Sequence, residues 1–445
     1  MDFQTHLTSF LKKEEVDSLL ISLNQASQTA FRLNTLKIKE ITDIFNPCPF
    51  LNHPDVKNGF YFDKVLNPLG KSILFEAGAF YIQEPSAMLA VEILNPQEND
   101  IVLDMCAAPG GKSFHAINLM NDRGLLVCND IHPIRSQILS SNLEKCGCKQ
   151  ILVLQEDSKN YQSKFSNFFD KIILDAPCSG SGMFRKNDFS YQDWSMEKVM
   201  QCQKTQISLL NDAYTMLKSG GAILYSTCSF SKQENEDVLI QFLSFHSDCH
   251  LIPIPLKNGF LPSIGIEGAI RLHPNHYRGE GQFIALIKKE GESINSSIKL
   301  KTKKNKKIHP SVFQFLDEFH FSYDKNKIVN WNEHYFYVDF DHPILDHLKI
   351  LRCGLAIGEV KNNRFIPNHA FAMYHHFDFS HCSIELSDKD ALKYLAGECL
   401  TCANEGTGYK IVTYQNLPLG FVKQVGHQLK NHYPKGLRKK INCQV

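Results

Sequence analysis

Two cysteines stand in short polar settings, each directly behind an apolar run. Cys178 lies in Asp175-Ala176-Pro177-Cys178-Ser179-Gly180, after Ile172-Ile173-Leu174, and Cys228 lies in Ser226-Thr227-Cys228-Ser229, after Ala222-Ile223-Leu224-Tyr225. Runs of this kind read as buried strands, and the carboxyl ends of strands in an open α/β sheet are where ligands and chemistry collect. A thiol delivered there is a soft nucleophile once its surroundings favour the thiolate. Carbon 6 of a cytosine or uracil ring is a target that needs one. Addition at carbon 6 makes carbon 5 enamine-like and able to take a methyl group; a base then removes the carbon-5 proton and the thiol is eliminated. Charge on the ring nitrogen and exocyclic amine must be stabilised as the adduct forms, and Asp175 is placed for that. Spacing alone does not rank the two thiols, and for each taken singly core packing is the competing reading.

A donor site lies nearby in sequence. Asp104-Met105-Cys106-Ala107-Ala108-Pro109-Gly110-Gly111-Lys112 joins a strand to a helix, and its small residues let backbone approach a ligand at a helix N-terminus. It has neither GxxxxGK[ST] nor GxGxxG spacing, which excludes a Walker loop and weakens a nicotinamide or flavin reading. Asp130 follows the second strand, where a carboxylate suits ribose hydroxyls, and Asp157 follows the third, where it can accept from an adenine amino group. Capping of the next helix is the alternative for both. An adenosine site without a phosphate clamp fits S-adenosylmethionine better than ATP.

The elements that must position these residues alternate. Strands at 101–103, 125–128, 151–154, 172–174, 222–225 and 283–287 are separated by helices at about 113–120, 133–145, 196–217 and 234–245, which predicts a doubly wound parallel sheet. Residues 1–95 read as a largely helical N-terminal extension, with one strand-like stretch from Phe31 to Lys37, and 96–290 as the core. Residues 291–307, with Ser293, Ser296, Ser297, Lys299, Lys301, Lys303, Lys304, Lys306 and Lys307, read as a basic linker. Short strands follow in an accessory module at 308–380 and a final unit at 381–445. The last residues carry Lys430, His432, Lys435, Arg438, Lys439 and Lys440 around Tyr433 and Leu437, a pattern that suits RNA.

At 445 residues, 43% hydrophobic and with net charge +1, the chain reads as an ordinary globular protein of two or three domains, not a polycation. Its 14 cysteines form no disulfide framework, the start carries no apolar signal-peptide run, and no run approaches membrane-spanning length. A reducing, cytoplasmic setting is expected, with no membrane association and no obligate protein partner evident. Cys146, Cys148 and the Cys399/Cys402 pair read as ordinary packing thiols, and no metal site is expected.

The motifs taken together resemble a known family, the Sun-type RNA cytosine-5 methyltransferases, and within it the bacterial RsmF-type ribosomal RNA branch. The resemblance rests on residues 104–112, 175–180 with Gly182-Met-Phe-Arg-Lys186, 226–229, Gln83-Glu84-Pro85-Ser86-Ala87-Met88, Arg32-Leu-Asn-Thr-Leu-Lys37, Gly279-Glu280-Gly281-Gln282-Phe283 and the tail at 423–438. It implies a Rossmann-like α/β methyltransferase core with an N-terminal helical extension and a C-terminal PUA-like RNA-binding module. It implies that Cys106, Ala107, Ala108, Pro109, Gly110, Gly111 and Lys112 hold S-adenosylmethionine, with Asp130 and Asp157 on its adenosine and Asp175 at the donor or the target base. It also ranks the thiols: Cys228 attacks and Cys178 assists release. The partner implied is RNA, in the form of ribosomal RNA or a ribosomal subunit. Ser181 departs from the family pattern, since relatives often carry Glu there.

Two other classes compete. An exocyclic-amine methyltransferase would need no thiol and favours Asn/Asp-Pro-Pro-aromatic where this chain has Asp175-Ala-Pro-Cys178. A non-enzymatic RNA-binding assembly factor would be free to lose the thiols, the donor loop and the acidic residues that are all present.

Overall fold

A computed structural model describes residues 2–186, 191–292, 307–340, 345–375 and 379–439. Its centre is a ten-stranded sheet. The parallel part is β1 (Ile101–Asp104), β2 (Leu125–Asn129), β3 (Ile151–Leu154), β4 (Phe169–Asp175) and β5 (Leu217–Thr227), in the spatial order β5-β4-β1-β2-β3. Chain direction across the sheet reverses at β1, so a crevice opens between β1 and β4 at the carboxyl edge.

The strands are apolar on both faces because both faces are covered. Leu103, Val127, Ile172, Leu174, Ile223 and Tyr225 pack on the layer that includes Tyr161, Leu210, Met216, Leu239 and Phe242. Val102, Leu126, Ile173 and Leu224 point the other way, onto Leu89, Phe114, Ile117, Leu139 and Leu143. This period-2 alternation sandwiches the sheet between helices Pro85–Leu94, Gly111–Leu119 and Pro133–Cys146 on one side and Met196–Met216 and Glu236–Phe245 on the other.

The sheet is mixed, not wholly parallel as expected. β6 (Gln282–Lys289) runs antiparallel to β5, with Phe283 opposite Thr227 and Lys288 opposite Ala222. At the other edge β7 (Ile350–Cys353), from the region expected to form a separate accessory module, pairs antiparallel with β3. An edge strand otherwise presents a row of unpaired backbone groups, and β7 covers it. Nothing in Ile350-Leu351-Arg352-Cys353 announces such a distant partner.

The N-terminal region is less helical than expected. Helices Phe3–Thr8 and Lys13–Leu23 are followed by a four-stranded antiparallel sheet in which Ala30–Leu33, covering only the start of the strand-like stretch from Phe31 to Lys37, lies between Gly59–Tyr61 and Phe80–Gln83. Strands of two to four residues leave too short a pattern to read. Phe31 is the hub of its core, with Phe45, Phe50, Phe60, Phe62 and Phe80 around it.

Beyond the core, helix Pro310–Glu318 packs on a second four-stranded antiparallel sheet. The C-terminal unit is built on a long hairpin, Leu400–Tyr414 and Leu417–Asn431, with Ser383–Glu385 beside it. This unit shares a core with the N-terminal sheet through Tyr394, Leu419 and Tyr433. Buried Glu76 takes ion pairs from Lys145 and Lys439, each at 2.6 Å, so Lys439 serves packing as well as charge. Lys430, His432 and Lys435 stay exposed. Most of the basic linker, residues 293–306, lies outside the described residues, as does Lys440. Among the described residues no helix is long and apolar enough to cross a membrane.

Two contacts centred on carboxylates hold the layer next to β5 and β6. Arg271 and Glu236, both almost fully buried, form a bidentate pair at 2.7 and 2.5 Å. Glu236→Ala leaves the buried guanidinium uncompensated and is expected to cost about 3–5 kcal/mol, read as a lower urea midpoint. Glu15 ties helix Lys13–Leu23 to the segment after Arg271. Hydrogen bonds from His273, then His276 and Asn275, hold its carboxyl down to about 2 against burial. A folded pKa below the ordinary 4.5 means that this stabilisation is full above that value and is lost as pH falls towards 2. Glu15→Gln is therefore expected to be less stable than the parent by about 2 kcal/mol at pH 7, with the difference in denaturation midpoint closing as pH falls from 5 to about 2.

Candidate active site

Parallel strands β4 and β5 place Asp175 opposite Ser226 and carry the two thiol loops out side by side. The sulfurs of Cys178 and Cys228 lie 3.2 Å apart and share a hydrogen bond. Both residues are half-buried. That shared hydrogen bond, burial and the charges of Glu234 and Asp175 push the Cys178 pKa well up, so Cys178 keeps its proton.

Asp175 is the next layer. Its carboxylate takes an ion pair from Lys112 at 2.7 Å and a hydrogen bond from the Ser226 hydroxyl at 2.7 Å. Burial draws the Lys112 pKa down, but Asp175 overrides it and leaves the ammonium firmly charged. Lys112, Asp175, Cys178 and Cys228 thus form one group at the crevice beside β1, although they come from three separate segments.

The donor loop runs behind them. The Ala107 amide donates to the Asn129 carbonyl at 2.8 Å, and the Arg135 guanidinium donates to the Ala108 carbonyl at 2.9 Å. Added β-carbons at Gly110 and Gly111 would meet Leu139 at 3.1 Å and Gln83 and Tyr81 at 3.1 Å. Their smallness thus serves packing of the loop against the protein as well as any ligand. Burial pushes Cys106 far up, leaving it a neutral thiol in the loop wall. Asp104 is fully buried, and its carboxyl is pushed up to about 7 by burial, partly opposed by the Ser113 hydroxyl at 2.6 Å. Its Oδ1 has no partner.

Asp130, behind β2, is 3% exposed; it accepts from the His132 amide at 2.9 Å and the Ala108 amide at 3.3 Å and pairs with Arg135 at 3.1 Å. Asp157 lies behind β3. It caps helix Ser158–Tyr161 through the Lys159 amide at 3.0 Å, the capping role weighed from the sequence.

Sequence reasoning missed the support beneath the thiols. Glu234, Asn235 and Glu236 are consecutive and all fully buried. Glu234 accepts from the Ser179 and Ser229 hydroxyls, Asn235 bonds the Thr227 hydroxyl at 2.6 Å and the Ser229 carbonyl at 2.8 Å, and Glu236 holds Arg271. In the sequence they look like the polar first turn of a helix, and only their burial separates them from that. The Gly182 amide clasps the Cys228 carbonyl at 2.8 Å, and a β-carbon on Gly182 would lie 2.6 Å from the Gly281 carbonyl. Ser181, fully buried, accepts from the Phe230 amide at 2.9 Å. Glu84 accepts from Ser86, Ala87 and the Glu280 amide, which brings the 83–88 and 279–283 motifs together. Among the described residues no group of three or more His, Cys, Asp or Glu is placed to hold a metal.

Four family models match in succession: the N-terminal domain of 16S rRNA methyltransferase RsmF over 1–85, 16S rRNA methyltransferase RsmB/F over 91–288, the RsmF first C-terminal domain over 314–374 and the RsmF PUA domain over 382–439. Ribosomal RNA small subunit methyltransferase F of Vibrio cholerae is 30% identical over 434 residues, covering 92% of this chain and 90% of the relative. The protein of the same name from Aeromonas hydrophila is 29% identical over all of this chain and 98% of its own. Among solved structures, a methyltransferase homolog from Pyrococcus horikoshii superposes with a TM-score of 0.56 at 31% identity, covering 64% of this chain and 93% of that one. NSun6 from the same organism, solved with SFG, shares the fold with a TM-score of 0.59 at 22% identity, covering 65% and 98%. With RsmF models matching in succession along the chain and a relative 30% identical over 92% of it, the chain belongs to the RsmF family of ribosomal RNA small subunit methyltransferases.

Proposed function

We propose that this methyltransferase transfers a methyl group from S-adenosylmethionine to carbon 5 of cytosine in ribosomal RNA, through a thiol adduct at carbon 6. The observation that carries this reading is the 3.2 Å pair of sulfurs beside the Asp175–Lys112 ion pair. A nitrogen-methylating enzyme has no use for two adjoining thiols.

S-adenosylmethionine is the methyl donor, supplying an electrophilic sulfonium methyl. The residues present fit it: Asp104 Oδ1 is a buried acceptor without a partner at the root of the donor loop, suited to an ammonium group, and Asp130 lies behind the neighbouring strand for ribose hydroxyls. Residues 106–112, Asp130 and Asp157 are the proposed donor contacts.

Cys228 is the proposed nucleophile. Cys178, whose pKa the shared hydrogen bond and burial push well up, is the poorer attacker in the resting state. Attack forms the bond from Cys228 to carbon 6 while Asp175 accepts from the exocyclic amine and the Lys112 charge steadies the ring. After methyl transfer, which leaves S-adenosylhomocysteine, the carbon-5 proton passes to solvent water as base, the ring double bond between carbons 5 and 6 re-forms, and the carbon–sulfur pair returns to Cys228, whose release Cys178 assists. A cytosine in structured RNA must leave its stack to reach the thiols. The exposed cations of the C-terminal hairpin and tail are the proposed RNA contacts, and the rRNA substrate is that named for the relatives. Both thiols must stay reduced, and every described cysteine is free, which suits a cytoplasmic setting.

Cys228→Ala is expected to abolish transfer of tritiated methyl to ribosomal RNA while binding of S-adenosylmethionine, measured by calorimetry, persists; retained transfer would overturn the covalent reading. Cys178→Ala is expected to accumulate a protein–RNA adduct, seen as a shifted band on a denaturing gel. If that band formed only with the Cys228 variant, the two roles would be reversed.

A further inference from the structure

Glu234 reaches both thiol loops at equivalent places. Its Oε1 accepts from the Ser179 amide at 2.6 Å and its Oε2 from the Ser179 hydroxyl at 2.6 Å and the Ser229 hydroxyl at 2.5 Å. Ser179 is the residue after Cys178, and Ser229 is the residue after Cys228. The two hydroxyls are themselves 3.2 Å apart, matching the 3.2 Å between the sulfurs. Gln206 adds a fourth donor at 3.4 Å from the helix below.

A fully buried carboxylate is costly unless donors compensate it. What it provides in return is specific: it is an acceptor at both oxygens, so donors from two separate loops can converge on it at once. A glutamine of the same size would turn its NH2 against one of those donors. An apolar residue would fill the space without fixing the spacing.

We propose that Glu234 is a positioning residue for both thiols: by accepting from the residue after each cysteine, it sets the sulfur–sulfur separation at which Cys228 attacks and Cys178 releases the product. This rests on the covalent reading above. Glu234 touches neither base nor donor and acts through Ser179 and Ser229. Without it, Cys228 is still held by Gly182 at its carbonyl, so attack survives better than release.

The test compares full-length wild-type protein with Glu234→Gln and Ser229→Ala, the latter keeping the carboxylate and removing one donor. Without RNA or S-adenosylmethionine, the diazene oxidant diamide takes one hydrogen from each thiol and leaves a Cys178–Cys228 disulfide, whose rate of formation is followed by mass spectrometry of the joined peptides. Both variants are expected to form it at least about tenfold more slowly. Turnover is expected to fall by up to about 100-fold, the scale of a 1 Å misplacement. KM for RNA and donor affinity should hold, and the adduct band should strengthen as expected for Cys178→Ala. Wild-type disulfide rates in Ser229→Ala and in any folded Glu234→Gln, with only the melting temperature moved, would overturn the proposal and leave Glu234 a structural residue. Because the disulfide rate needs no methyl transfer, it still reads the spacing if Cys228→Ala retains activity, so the two failures are distinguishable.

Discussion

Cys178 and Cys228 meet because β4 and β5 run parallel, with Asp175 opposite Ser226. Side chains alternate along a strand, so a slip of one residue would exchange the faces of β5 and turn the Ser226 hydroxyl away from Asp175. That register is set by the burial of Ile172, Leu174, Ile223 and Tyr225 on one layer and of Ile173 and Leu224 on the other. The chemistry at the edge is therefore fixed by apolar packing in the middle.

Around this register the site is built mostly from short polar contacts between segments far apart in the chain. Lys112 arrives on the helix after β1 and meets a carboxylate at the end of β4. Glu84 caps helix Pro85–Leu94 and also receives the Glu280 amide, while Arg185 pairs with Glu280 at 2.7 Å. The 83–88, 182–186 and 279–283 motifs are thus parts of one clasp that closes on the Cys228 loop through Gly182 and Gly281.

The parallel strands, their helices and the two thiols were legible in the sequence because each rests on local pattern: buried runs of three to seven residues, helices with a polar face, and small or polar residues at the turns. The family resemblance added the ranking of Cys228 over Cys178 and the C-terminal RNA-binding unit. What the sequence did not disclose depends on distant partners. Glu234 looks like an ordinary first-turn acid until Ser179 and Ser229 fold over it. Ile350–Cys353 looks like any short strand until it is found on β3, and the N-terminal strands are too brief to show a period. Asp157 was legible as a polar residue behind a strand, and the cap it forms is one of the two roles open to it there.

The placement of β7 has a further consequence. Because a strand from beyond residue 307 completes the catalytic sheet, the C-terminal half is joined to the core by backbone hydrogen bonds, and Tyr433 and Lys439 fasten its far end to Glu76. The hairpin Leu400–Tyr414 and Leu417–Asn431 is consequently held at a set distance and angle from the thiols. The protein is built as a calliper: one jaw carries the exposed Lys423 and Lys430 of the hairpin, the other holds the sulfurs, and the gap between them is fixed.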